Sequence, residues 1–317
     1  MSGYLPLPPC SAPGFRHEAL IYHGEGDFLA RTASFIREGL AAGEPTLVVV
    51  SAAKIDRLQA CLGDQAGGVR FLDMAEVGAN PARIIPAWRH FVDEHREGTR
   101  RFRGIGEPIS AARGAAELVE CQRHESLLNA AFADGPEWWL LCPYDTETLP
   151  PEVVEEARRS HPLVALGTAH EHSATYHPAP GAGDRPLPDP TGEWMEVAFR
   201  QGPLAALRNF VSTQAVELGA SAARAADLVQ AMNEVAGNSL RHGGGEGVLR
   251  MWQEAGSVIC EIRDGGHITD PLVDRRQPAS DAHAPRGLWL ANQLCDLVQV
   301  RSLPTTGTVV RLHVRLG

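Results

Sequence analysis

Two patterns of apolar and polar positions divide the chain. Up to about residue 176, short unbroken apolar runs alternate with segments of helical period. Residues 19–22, 46–51 (TLVVVS), 69–72, 103–106 and 138–142 (WWLLC) read as strands. Residues 28–42 read as a helix, with Asp27 as its cap and Gly43 as its stop. Pro81 opens a helix to about residue 95, and residues 115–133 and 152–160 read as two more. Strands that are apolar on both faces fit a parallel sheet covered by helices on each side.

After residue 193 the order changes. Residues 203–218 predict a helix with Leu204, Leu207, Val211, Ala215 and Leu218 on one side, stopping at Gly219. Ser221 caps a second helix, which runs into MNEVAGNSLRHGGG at 232–245. Residues 248–253 and 258–263 read as strands, 287–296 as a helix, and 297–302 and 308–316 as the last strands. Val310, Leu312, Val314 and Leu316 alternate with polar residues, which predicts a sheet with one covered face. Between the halves, residues 177–193 (HPAPGAGDRPLPDPTGE) are dense in Pro, Gly and Asp and read as a linker. Two domains are expected, 15–176 and 194–317.

A length of 317 residues at 44% hydrophobic is enough for two packed cores. The net charge of -10, with no offsetting basic cluster, argues against a nucleic-acid partner. No apolar run is long enough to span a membrane, and MSGYLPLPPC lacks the pattern of a signal peptide. The six cysteines are scattered without a C-x-x-C pair, as reduced thiols of a cytoplasmic protein would be. Lys54 is the only lysine and follows no glycine loop, so a working P-loop is not expected.

The candidate chemistry gathers in the second half. Glu234 and Asn238 are four residues apart and share one face of their helix. Gly237 between them would cost about 1 kcal/mol relative to alanine, which suggests close packing or a ligand. RDGG (263–266) ends a strand, PRGLWL (285–290) starts a helix, and GTVVRL (307–312) starts the last strand. About 20 residues separate the first two, a loop length that favours a functional lid or disorder. Asp264 at a strand end can accept from the exocyclic amine of adenine, with Gly265 and Gly266 allowing close approach. The helix start at Gly287 offers N–H groups to phosphates, and Arg275, Arg276 and Arg286 could add charge. Asn238 offers an amide oxygen to Mg²⁺, and Glu234 could take a proton.

These pieces, in this order, resemble the ATPase domain shared by gyrase, heat-shock chaperones, histidine kinases and MutL. Within that superfamily they look most like the anti-sigma-factor serine kinases. The resemblance spans 194–317 and implies a two-layer α/β sandwich of the Bergerat type that binds ATP and Mg²⁺. It places Glu234, Asn238 and His242 on the first family box, Asp264 and Gly266 on the second, Gly287 on the third and Thr308 on the last. It implies Glu234 as base, Asn238 as Mg²⁺ ligand, Asp264 as adenine contact and Thr308 as a water-mediated support. Arg286 and Leu288, flanking Gly287, belong to the expected nucleotide-binding set. Ile268 stands where the family has a further glycine, and Pro285 replaces the first glycine of its third box. The implied activity is phosphoryl transfer to a serine of a STAS-type antagonist. The alternatives are a non-catalytic nucleotide-binding switch that sequesters a sigma factor or antagonist, and a sensor histidine kinase.

In the first half, HEALIYHGEGDF, NPARIIPAWRHF, RGIGEP, ELVECQRHESLLNAAF and LLCPYD resemble the MEDS sensory domain. The likeness covers 15–176 and implies a RecA-like three-layer parallel-sheet fold without a P-loop, sensing a small organic molecule. Tyr22, His23, Glu107, Tyr144 and Asp145 fall at strand ends, where open parallel sheets bind ligands. His170, Glu171, His172 and His177 are dense enough to raise a metal, although their spacing is not that of a helix or finger site. His124 with Glu125 looks like a phosphoacceptor pair, but the surrounding helix reads as part of the first domain. A homodimer is an open expectation, since no interface is readable in the sequence.

Overall fold

The computed structural model describes residues 14–96, 101–167, 169–178, 185–278 and 287–316. The chain divides into two units, Met1–Gly78 with Ala87–Gly181 and Ala79–Pro86 with Ala182–Gly317. The first runs β1 (Phe15–Tyr22), α1 (Gly24–Ala41), β2 (Thr46–Val50), α2 (Ala52–Leu62), β3 (Val69–Asp73) and α3 (Met74–Val77). It continues with α4 (Ile84–Glu94), β4 (Phe102–Gly106), α5 (Ala115–Ala131), β5 (Trp138–Asp145), α6 (Pro151–Ser160), β6 (Leu163–Leu166) and β7 (Ala169–His172). A short 3-10 turn at Pro81–Arg83 precedes α4, so the helix expected from Pro81 begins three residues late.

The sheet order is β3-β2-β4-β5-β1-β6-β7, parallel throughout except for β7. Val48 and Val50 of β2, Leu20 of β1 and Ile105 of β4 are almost completely buried, as strands covered on both faces require. The register sets Tyr22 opposite Asp145, so the polar ends of β1 and β5 emerge together. Helix α1 starts four residues earlier than its sequence pattern suggests. Asp27 lies inside its first turn and accepts from the His23 backbone N–H at 3.1 Å.

The second unit runs β8 (Met195–Arg200), α7 (Ala205–Glu217), α8 (Ala222–His242), β9 (Glu246–Glu254), β10 (Ser257–Asp264), α9 (Gly287–Leu294), β11 (Leu297–Leu303) and β12 (Gly307–Arg315). Its sheet is antiparallel, in the order β11-β12-β10-β9-β8. Ser221 caps α8 by accepting from the Arg224 N–H at 3.3 Å. Leu228, Met232, Val235 and Ala236 of α8 pack on Cys260 and Ile262 of β10 and on Val310 and Leu312 of β12. The whole is an α/β protein with one parallel and one antiparallel sheet.

The expectation of one covered face on the second sheet needs correction. Val310, Leu312 and Val314 point into the helical core, yet Arg311 and His313 between them are buried as well. Part of the expected linker covers that other face. The Arg311 guanidinium donates to the carbonyl of Pro188, and Arg301 donates to that of Arg185 at 3.1 Å. Asp189 pairs with Arg263 at 3.2 Å. Beneath them Glu261 is fully buried and is neutralised by Arg263 and Arg311, as a charge in a sheet interior must be.

Candidate functional site

Helix α8, the end of β10, the start of α9 and the start of β12 enclose a cavity of about 590 Å³. Asn238, His242, Asp264, Gly266, Ile268, Arg276, Gly287, Leu288 and Thr308 are among the residues that line it. Six of the expected site residues, Asn238, Asp264, Gly266, Gly287, Leu288 and Thr308, thus converge on one space. Glu234 does not line it; it sits half-buried one turn before Asn238 on α8. Arg286 and Pro285 lie outside the described residues.

Asp264 is held from two sides. Its Oδ1 accepts from the Gly266 N–H at 2.8 Å, and its Oδ2 accepts from the Ser239 hydroxyl at 2.6 Å. A carboxylate has about four lone-pair sites, so two acceptor positions remain for a ligand. Ser239 is 1% exposed on the core side of α8. The sequence reading missed it. A buried hydroxyl needs a partner, and that requirement was the available signal.

The glycines around Asp264 are there for space. A Cβ on Gly243 would stand 2.5 Å from Asp264 Cγ and 2.7 Å from the Ser239 carbonyl oxygen. One on Gly266 would stand 2.7 Å from the His242 carbonyl oxygen. The glycine cluster after α8 therefore lets the helix end pass directly behind the aspartate. Gly243→Ala is expected to lower stability by about 1–3 kcal/mol, the usual cost of overpacking, and to weaken nucleotide binding by displacing Asp264. Denaturant melts and calorimetry with ADP check both; unchanged values in both would mean that the helix end yields freely.

Thr308 donates to the Gly266 carbonyl at 2.9 Å and lies 2.8 Å from Ser302 Oγ. Ser302 accepts from the Ile268 N–H at 2.7 Å. Ile268, where the resembled family has glycine, is tied down by this bond and supplies an apolar wall. Arg276 lines the cavity and pairs with Asp270 at 2.8 Å. Arg275 is 1% exposed beside Asp274 and does not line the cavity, so its expected phosphate role is not supported.

Asn238 faces two neighbours. A Cβ on Gly287 would stand 2.7 Å from its Nδ2, so the helix start of α9 abuts the amide. Its Oδ1 accepts from the exposed Arg241 guanidinium at 2.7 Å. The oxygen expected to hold Mg²⁺ thus faces a cation that must move aside. Close packing does not account for Gly237, because a Cβ there would meet only the flexible end of Arg241, at 3.3 Å. Asn238→Ala is expected to lose Mg²⁺-dependent ATP binding while keeping its far-ultraviolet circular dichroism, since the side chain is not core. Parent-like Mg·ATP affinity would remove Asn238 from the site.

In the first unit the strand-end residues separate into two groups. The Tyr22 hydroxyl donates to Glu107 at 2.8 Å, and Lys54, which was not foreseen, reaches both at 2.5–2.7 Å. Burial raises the Glu107 pKa, against the pull of Lys54. Asp145 instead accepts from the backbone N–H groups of Gly24 and Glu147, at 3.2 and 3.0 Å. The Tyr144 ring turns away and packs edge-on against His161. His124 is 1% exposed inside α5, which does not suit a phosphoacceptor. His170 pairs with Glu18 at 2.7 Å.

Two family matches divide the chain in the same way. Residues 16–162 match MEDS, the methanogen/methylotroph, DcmR sensory domain. Residues 197–314 match the histidine kinase-like ATPase domain. No curated protein matches the chain. Among solved structures, the RsbU and RsbW domains of Rv1364c from Mycobacterium tuberculosis are 20% identical, with a TM-score of 0.30. That match covers 39% of this chain and 33% of the other, so the chain spans about a third of the protein it matches. The chain joins a MEDS domain to a histidine kinase-like ATPase domain.

Proposed function

We propose that the protein is an ATP-binding regulator of the anti-sigma type that phosphorylates a serine on a STAS-type antagonist, under the control of its MEDS domain. The domain bounds are those read from the sequence, 15–176 and 194–317, with 177–193 between them. The observation that carries the reading is the Asp264 carboxylate, fixed by Ser239 and Gly266 in the wall of a cavity shared with Asn238 and Gly287.

The residues fit a nucleotide. Asp264 accepts the adenine amine, and Leu288 and Ile268 give the base apolar walls. Thr308 supports it through water. The N–H groups at the start of α9 and the flanking Arg286 would meet the phosphates, and Asn238, with Arg241 displaced from its oxygen, would hold a Mg²⁺ ion that offsets the phosphate charge. ATP supplies the phosphoryl group: an O–P bond forms to the serine as the bond to the ADP oxygen breaks. Glu234 takes the serine proton, and positioning and charge do the rest. The expected setting is the cytoplasm; among the described residues no helix is long and apolar enough to cross a membrane. Further expected partners are a sigma factor, a small molecule at the MEDS domain and a second copy of the chain, with nucleic acid excluded by charge.

A second reading, a non-catalytic switch, draws on two observations. Glu234 stands off the cavity, and Arg241 occupies the Asn238 oxygen. Incubation of the full chain with labelled ATP and candidate antagonists separates the two. Acid-stable phosphoserine on the partner supports the kinase. Nucleotide binding with no transfer to any candidate favours the switch. Acid-labile phosphate on the chain itself would instead point to a histidine kinase.

A further inference from the structure

We propose that His17, Glu125, Cys142 and His161 form a tetrahedral Zn²⁺ site inside the MEDS domain. The four come from β1, α5, β5 and the residue after α6, and all are at most 1% exposed. Their potential ligand atoms lie within 4.8 Å of one another. His17 Nε2 is 3.1 Å from Glu125 Oε2 and 3.4 Å from Cys142 Sγ, and His161 Nε2 is 3.3 Å from the same Glu125 oxygen. Zinc bonds of about 2.0–2.1 Å to nitrogen or oxygen and about 2.3 Å to sulfur place tetrahedral ligands about 3.3–3.6 Å apart. These three separations are close to that, and the remaining pairs, within 4.8 Å, would close by about 1 Å or less around an ion.

The hydrogen bonds behind the rings decide which nitrogens are free. Asn129 donates through Nδ2 to the Ser160 carbonyl at 2.8 Å, which fixes its amide orientation. Its Oδ1 therefore faces His17 Nδ1, at 3.0 Å, and must accept. His161 Nδ1 lies 2.8 Å from the Ala157 carbonyl, which can only accept. Both rings thus carry their proton on Nδ1. In the neutral rings both Nε2 atoms present lone pairs toward a carboxylate, an arrangement of acceptors that calls for a cation. A ring N–H anchored to a carbonyl or amide oxygen while the other nitrogen is free is the usual support of a metal-binding histidine. Glu125 Oε1 and His161 Nε2 are buried without a hydrogen-bond partner.

Charge points the same way. With both rings neutral beside a carboxylate, no member of the cluster supplies a positive charge. Alone, the cluster buries a net negative charge, which is costly. A Zn²⁺ ion with the Glu125 carboxylate and a Cys142 thiolate sums to zero. Forming the zinc–sulfur bond releases the thiol proton to water. Two nitrogens, one oxygen and one sulfur complete a four-coordinate set, so the site ties the sheet to its helices and leaves no position for catalysis.

The full-length chain, stripped with EDTA, is titrated with Zn²⁺ against a chromophoric chelator and separately with Co²⁺. The expected result is about one ion per chain. Co²⁺ should show the ligand-field absorption of a tetrahedral site and a thiolate-to-metal charge-transfer band, and Cys142→Ser should remove that band. X-ray absorption of the zinc-loaded parent needs no variant and should show one sulfur among four close ligands. A chain that takes up no Zn²⁺, a zinc shell without sulfur, or a charge-transfer band that survives Cys142→Ser would overturn the site.

Discussion

Glu234→Gln is expected to keep nucleotide binding and to lose phosphoryl transfer by on the order of 10²–10⁴. Glutamine keeps the size of the side chain and much of its hydrogen bonding, but it cannot take a proton. Because Glu234 does not line the cavity that would hold the nucleotide, binding should barely move. It stands one helical turn from Asn238 and half-exposed, so an incoming serine can meet it from outside. Single-turnover transfer to a phosphorylatable antagonist, with ADP affinity measured in parallel, reads both parts. A variant that transfers as fast as the parent would remove the base role. A variant that also loses ADP binding would show the residue to be structural.

Asp264→Asn is expected to weaken ATP and ADP binding by about 1–3 kcal/mol, roughly 5- to 150-fold. The reason is in the donors already aimed at this side chain. The Gly266 N–H and the Ser239 hydroxyl each point at one carboxylate oxygen. An amide has one oxygen and one NH₂, so one of these donors must face another donor. The Ser239 hydroxyl can turn back to the Val235 carbonyl, 3.2 Å away, and the fold should survive. The adenine amine then meets either an NH₂ or an oxygen already engaged by Gly266. Equal affinity of parent and variant would take Asp264 out of the adenine pocket.

Much of this arrangement was legible in the chain. The strand and helix periods located most elements, because buried strands and amphipathic helices leave strong patterns. Helix α2 was missed because only Leu58 and Leu62 of its residues are buried, so its stripe is faint. The edge strand β8 was missed because its alternation is short and follows a Pro-rich stretch. Asp264 could be read because it closes a strand beside glycines, Gly287 because it opens a helix, and Asn238 because it shares a helix face with Glu234. Ser239 and Arg241 could not, since their roles depend on which way two side chains turn across α8. The cluster of His17, Glu125, Cys142 and His161 was invisible for a different reason. Only the parallel pairing of β1 with β5, with Ala19 opposite Cys142, brings Cys142 to the face that carries His17. No local period encodes a contact across more than a hundred residues. The linker reading missed that Arg185, Pro188 and Asp189 cover buried charges on the second sheet, a matter of tertiary contact rather than composition.

The central claim is that the Asp264 cavity selects adenine nucleotides, and calorimetric titration of the full chain with ATP and with GTP tests it most directly. Adenine offers an amine to the carboxylate, whereas guanine places a carbonyl oxygen at the same ring position, acceptor against acceptor. ATP should bind at about one per chain and GTP at least roughly tenfold more weakly, the cost of one unmade hydrogen bond. In Asp264→Asn that preference should collapse. Equal affinity for ATP and GTP in the parent, or no binding of either, would contradict the account.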